Sequence, residues 1–171
     1  MLLNIMRAKA NEGIAQNFEV ECTLPNDMLE ERNIKFLTPV KVKGEYSYKN
    51  EVLNLVADAS CRLQCICDNC GETFERDFSF KINENFIENY NSHSDEDYLI
   101  NQAGINIDEA VSDNLLLSLS SRMLCREDCK GLCDVCGKNK NFYKCNCEEN
   151  LSEIERQEEN PFGKIKEFRG E

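Results

Sequence analysis

VLNLVADASCRLQCICDNCGETFERDFSFKI, from Val52 to Ile82, is the stretch on which the fold turns. Leu53, Leu55, Ala57, Ala59, Cys61, Leu63 and Cys65 occupy alternate positions, so a strand running through them buries one face and wets the other. Phe74, Arg76, Phe78, Phe80 and Ile82 repeat the alternation on the way back. Between the two runs lies Cys67-Asp-Asn-Cys70-Gly71. Glycine after the second cysteine permits a positive φ, and the turn aims backbone N–H groups at sulfur. The spacing predicts a long hairpin with a cysteine knuckle at its tip.

Upstream, Val40, Val42, Gly44, Tyr46 and Tyr48 alternate with Lys41, Lys43, Glu45, Ser47 and Lys49, and Asn50 offers the turn into the hairpin. Phe18, Val20 and Cys22 alternate with Glu19, Glu21 and Thr23 as a half-buried strand. Cys22, Cys61 and Cys65 all fall on apolar faces and read as small core residues. Cys65, near the knuckle, is a lesser metal candidate. Downstream, residues 83–104 are polar, acidic and Asn-rich (Asn83, Asn85, Asn89, Asn91, Asn101), which predicts a flexible or partly helical excursion with His93 exposed in it. Ile105 and Ile107 suggest a short strand, and Asp108 a helix cap. Val111, Leu115, Leu116, Leu119 and Met123 then form a core-facing helical stripe. The expected class is α+β: an antiparallel sheet or partly open barrel with a packed helix, followed by a small C-terminal zinc-binding cysteine module.

That module is the run CREDCKGLCDVCGKNKNFYKCNC, Cys125 to Cys147, which holds six of the chain's 11 cysteines. Cys133-Asp-Val-Cys136-Gly137 repeats the knuckle pattern, and Cys125/Cys129 and Cys145/Cys147 are looser pairs. A tetrahedral ion takes four soft donors, and Cys-x-x-Cys turns supply them two at a time. Cys133, Cys136, Cys145 and Cys147 form the best local set, and Cys125 and Cys129 can join Cys67 and Cys70 in a second. The pairing stays open at this level, as does one zinc ion against two. An iron–sulfur cluster also takes four thiolates, but glycine-terminated Cys-x-x-Cys pairs favour zinc, and no cysteine–proline signature is present. A redox role for Cys133 and Cys136 is disfavoured by the flanking cysteine pairs, which would scramble without a metal. The expected division is a sheet domain over 1–121 carrying the Cys67/Cys70 knuckle, a cysteine module over 122–150, and an acidic tail over 151–171 with a short helix around Ile165 and Phe168.

The apolar start Met1–Met6 is too short for a secretory signal, and no run approaches a membrane span. The expected compartment is then the cytoplasm, where thiols stay reduced, and an odd count of 11 cysteines there reads as metal or redox chemistry and not as a disulfide framework. The net charge is −12. Residues 82–121 contain no Lys or Arg, whereas Arg122, Arg126, Lys130, Lys138, Lys140 and Lys144 gather in the cysteine run. With Phe142 and Tyr143 interleaved, these six are the candidate RNA or partner contacts. Each four-thiolate zinc is formally −2, which offsets that local basicity. An acidic surface suits basic partners better than phosphate.

The combination of a knuckle-bearing sheet, a leucine-rich helix opened by Ile-Asp, Cys125-Arg-Glu-Asp-Cys-Lys-Gly-Leu-Cys133-Asp-Val-Cys136-Gly137, a Cys-Asn-Cys pair and a late Asn-Pro-Phe resembles the bacterial YceD family, also called large ribosomal RNA subunit accumulation protein. The resemblance runs from about Phe18 to Phe168. Asp134 and Ser120 stand where the family usually has proline, and Asn69 where it usually has arginine. The resemblance implies a cytoplasmic ribosome-biogenesis factor that supports accumulation of 23S rRNA, with the large-subunit precursor, a ribosomal protein or the 23S rRNA itself as partner. No nucleophile, base and orienting group occur together, so no enzyme, small-molecule substrate or membrane is expected. The preferred reading is an acidic, zinc-stapled adaptor, and direct rRNA binding is the alternative.

Overall fold

The computed structural model describes residues 2–88, 98–101 and 104–147. In chain order the elements are β1 (Leu2–Leu3), α1 (Met6–Ala10), β2 (Gln16–Cys22), a 3-10 helix (Asn26–Arg32), β3 (Lys35–Phe36), β4 (Val40–Lys49), β5 (Val52–Ile66), β6 (Thr73–Ile87), β7 (Tyr98–Asn101), β8 (Gly104–Asn106) and α2 (Ile107–Ser118). The chain divides into two compact units, Met1–Ile66 with Thr73–Met123, and Cys67–Glu72 with Leu124–Glu171. His93 and the tail helix expected near Ile165 and Phe168 lie outside the described residues.

The first unit is a curled, half-barrel sheet with strand order β1-β8-β7-β6-β5-β4-β2, and β3 also pairs with β5. Its spine is the β5–β6 hairpin, in antiparallel register from Val52↔Ile87 to Ile66↔Thr73. Small residues on β5 face large ones on β6: Ala57 opposes Ile82, Ala59 opposes Phe80, Cys61 opposes Phe78 and Cys65 opposes Phe74. Small residues set opposite large ones let the side chains of the inward face interdigitate. Cys22, Cys61 and Cys65 are buried core residues. Burial pushes the Cys22 thiol up to about 11, with Asp108 adding to it, and burial likewise pushes Cys61 up to about 11. At the other end of the hairpin spine, Asn50 (φ 52°) and Glu51 (φ 65°) make the two-residue turn between Lys49 and Val52. Two positive φ values match the right-handed strand twist.

β3 and β4 line one edge of β5, on either side of Leu37–Pro39. Proline has no N–H to give the ladder. There the Arg62 N–H donates to Thr38 Oγ1 at 3.0 Å, and the Leu37 N–H donates to the Arg62 carbonyl at 2.8 Å, so the edge stays paired.

The sheet is mixed, which corrects the expectation of a purely antiparallel one. β7 pairs with β6 in parallel, Phe86 with Tyr98 and Ile87 with Leu99. The polar excursion also begins later than residue 83. Asn83, Glu84 and Asn85 continue β6, and Tyr98–Asn101 is a strand. The reason is cross-strand pairing: Asn54 Nδ2 donates to Asn85 Oδ1, and Phe86 and Ile87 bury at the end of the run.

In α2, Asn106 and not Asp108 is the cap, accepting from the Asp108 N–H, and Ile107 belongs to the helix. Asp108 and Glu109 lie in the first turn, where the helix dipole favours acids. Ile107, Ala110, Val111, Leu115 and Leu119 are buried against the sheet, whereas Leu116 is 42% exposed and leaves the expected stripe. Asn114 Nδ2 donates to Glu84 Oε1 and the Tyr98 hydroxyl donates to Asp113 Oδ2, which fixes the helix on β6 and β7.

Gly44, on β4 opposite Ala57, sits at a close approach of two strands. A Cβ there would overlap the Val56 carbonyl and lie 2.6 Å from the Ala57 Cβ. Gly44→Ala is therefore expected to destabilise the sheet by about 1–3 kcal/mol, as overpacking does. A urea or thermal melt reads it, and an unchanged midpoint would show that β4 yields freely.

Candidate metal centres

The second unit has almost no apolar core of its own: among its described residues, the buried apolar ones are Cys67, Cys70 and Cys133. A unit this small cannot stand on hydrophobic burial. Its order comes from turns and sulfur.

The two knuckles repeat one backbone pattern. The Cys67 N–H donates to the Glu72 carbonyl at 2.9 Å, and the Gly71 N–H returns to the Cys67 carbonyl at 2.9 Å. The Cys133 N–H donates to Lys138 at 2.8 Å, and the Gly137 N–H returns to Cys133 at 2.8 Å. Gly71 (φ 70°) and Gly137 (φ 68°) occupy the left-handed region that closes each turn.

Eight cysteines fall into two groups, Cys67, Cys70, Cys125 and Cys129 in one and Cys133, Cys136, Cys145 and Cys147 in the other, with the sulfurs of each group within 4.8 Å of one another. Cys67 Sγ lies 3.7 Å from Cys129 Sγ, and Cys70 Sγ 3.8 Å from Cys125 Sγ. Bonds of about 2.3 Å to a central ion give a tetrahedron with edges of about 3.8 Å. These sulfurs are much too far apart for disulfides, which need about 2.0 Å. The geometry suits one ion per group. A multi-iron cluster interposes its own iron–sulfide core and spreads its cysteines wider.

Proton affinities split within each group. For Cys67, burial opposes ionisation, but N–H groups of Cys125, Cys70 and Asn69 outweigh it and bring the thiol down to about 6. Burial pushes Cys70 up to about 12. The N–H groups of Cys136 and Val135 bring Cys133 down to about 6, while Cys147, hydrogen-bonded to the Cys136 sulfur, rises to about 12. Cys129 is lowered by the Gly131 N–H. Crowded sulfurs share few charges until a cation replaces their protons.

Two asparagines to which the sequence reading gave no part in the cysteine groups, Asn69 and Asn141, hold the first group together. Asn69 Nδ2 donates to the Cys129 carbonyl at 3.4 Å, and the Asn69 carbonyl accepts from the Leu132 N–H at 3.2 Å. Asn141 Nδ2 donates to Cys129 Sγ at 3.4 Å, its Oδ1 taking the Lys130 N–H at 2.9 Å. An amide N–H on a ligand sulfur stabilises the thiolate and fixes its direction. Gly131 (φ 71°) keeps the approach to Asn69 open, since a Cβ there would lie 3.1 Å from the Asn69 carbonyl. Asparagines inside a cysteine run are the only sequence signal, and it does not say which sulfur they serve.

Of the basic candidates, Arg122, Arg126, Lys130, Lys138 and Lys144 are exposed and Lys140 is half-buried. Phe142 and Tyr143 are 61% and 63% exposed, and the Arg126 guanidinium lies 5.8 Å over the Phe142 ring. Among the described residues, no helix is long and apolar enough to cross a membrane.

No curated protein and no solved structure matches this chain. The family model described as large ribosomal RNA subunit accumulation protein YceD matches residues 55–169, a span that takes in the hairpin, α2, both knuckles and all eight clustered cysteines. By that match the chain belongs to the YceD family.

Proposed function

We propose that the chain is a non-enzymatic cytoplasmic factor for accumulation of 23S rRNA and assembly of the large ribosomal subunit, and that each cysteine group holds one zinc ion. It acts as an acidic adaptor that engages a ribosomal protein or the large-subunit precursor. The family description supports the process, and the net charge of −12 supports a basic partner.

One observation carries the reading. Eight of the cysteines are gathered at ligand distance in two groups of four, and the remaining three, Cys22, Cys61 and Cys65, are buried in the sheet. Committed in this way, the thiols serve structure, and binding is left to the surface. Zinc suits the donor set because four thiolates in a closed site leave no open coordination position for a substrate. Its effect is to give a unit without an apolar core a fixed shape.

Metal analysis of protein purified under reducing conditions is expected to give two zinc per chain, and Cys67→Ser one. Chelation is expected to abolish amide protection in the knuckles and residues 124–147 while β4, β5 and β6 stay protected in hydrogen exchange. A single zinc that survives Cys67→Ser would reject the first group as a site, and a visible chromophore would replace zinc by iron. For the partner, a pull-down from lysate at two salt concentrations is expected to enrich a basic ribosomal protein or precursor particles. Normal 23S rRNA levels in cells lacking the chain would end the biogenesis reading.

The thiol values also set a pH dependence. Cys70 and Cys147 hold their protons up to about 12 in the metal-free groups, so zinc must displace those protons across the neutral range. Each displaced proton weakens apparent affinity about tenfold per pH unit of acidification. Competition titrations at pH 6, 7 and 8 are expected to show at least that slope, and a flat profile would count against thiolate ligation.

A further inference from the structure

Among the described residues, Phe142 and Tyr143 are the only aromatic side chains that stand largely in solvent; every other described Phe and Tyr is buried or half-buried. Two adjacent exposed rings serve no core. Phe142 carries the Arg126 guanidinium over its ring at 5.8 Å. The surrounding backbone gathers further cations. The Lys130 N–H bonds to Asn141 Oδ1 and the Lys140 N–H to the Gly131 carbonyl, so Lys130 and Lys140 flank the turn that presents the rings, and Lys144 follows Tyr143 directly. The Phe142 and Tyr143 N–H groups both donate to the Asn139 carbonyl, at 3.2 and 3.0 Å, and this fixes the turn. Because Asn141 also donates to Cys129 Sγ, the same turn is tied to the first cysteine group.

We propose that Phe142 and Tyr143, with Arg126, Lys130 and Lys144, form a stacking platform for an unpaired stretch of RNA. The proposal rests on the biogenesis reading above and names the chemistry of one contact. Every unpaired nucleotide offers a π face for a ring and a phosphate for a cation, and this short segment supplies both. A duplex hides its base faces and leaves only phosphate. The unit is poorly equipped for that: among its described residues Asp68, Glu72, Glu127, Asp128 and Asp134 match Arg126, Lys130, Lys138, Lys140 and Lys144, and each four-thiolate zinc would add a formal −2. Stacking therefore supplies most of the affinity and few phosphates take part.

The test uses the full zinc-loaded chain and a labelled, unstructured oligoribonucleotide of about ten residues, read by fluorescence anisotropy against the same sequence as a duplex. The single strand is expected to bind tighter. The slope of log affinity on log salt is expected to be shallow, about −2 for three phosphates at roughly −0.7 each. Phe142→Ala and Tyr143→Ala are each expected to weaken binding by roughly tenfold or more, with two zinc retained, while Phe142→Trp keeps the affinity. Equal binding by the alanine variants, a preference for duplex, or no binding by the unaltered chain would overturn the proposal. So would loss of a co-purifying ribosomal protein in the double alanine variant with RNA affinity intact, which would make the rings a protein interface. None of these results bears on zinc content or on 23S rRNA levels in deletion cells, so failure here is distinguishable from failure of the biogenesis reading.

Discussion

Four sulfurs held 3.7 to 4.8 Å apart cannot all carry negative charge without a cation among them, and the second unit is organised around that fact. Backbone N–H groups stabilise the thiolates of Cys67 and Cys129 in one group and of Cys133 in the other, while crowding and burial keep protons on others. A divalent ion held by either group would remove the conflict by exchanging protons for a shared positive charge. Bound there, it would also stand in for the apolar core that this unit lacks, since among its described residues the buried apolar ones are cysteines of the two groups. The asparagines at 69 and 141 belong to the same arrangement, one joining knuckle to loop and the other directing an N–H at sulfur.

The first unit depends on different physics. Its stability comes from alternate-face burial along β4, β5 and β6, from the matching of small β5 residues to large β6 residues, and from α2 closing over the sheet. Cysteine there behaves as a small hydrophobe with a proton that burial makes hard to lose. One residue type thus plays two roles, separated by whether backbone N–H groups or apolar side chains surround the sulfur.

Strands were legible wherever one face is apolar. β5 reads directly from Leu53 to Cys65, and β4 from Val40 to Tyr48, because a pleated strand with one buried face leaves period two in the sequence. The polar end of β6 was not legible: Asn83, Glu84 and Asn85 owe their strand conformation to partners on β5, a non-local cause. β7 was missed because its four residues, Tyr98–Asn101, are too few to show a period, and with it the parallel pairing that makes the sheet mixed. The cap of α2 moved from Asp108 to Asn106 because either residue can cap, and the chain path out of β8 selects one. Exposure of Phe142 and Tyr143 was equally invisible, since an aromatic pair beside a metal looks the same in sequence whether packed or bare.

The amino-acid order by itself determined the two Cys-x-x-Cys-Gly knuckles, because that chemistry is complete within six residues: two thiols, the N–H groups between them and a glycine to turn the chain. It also determined which cysteines are core, through their place in the alternation. Only the tertiary structure decided that Cys67 and Cys70 meet Cys129 and Cys125, partners 62 and 55 residues apart. Local propensity carries no information across such a distance.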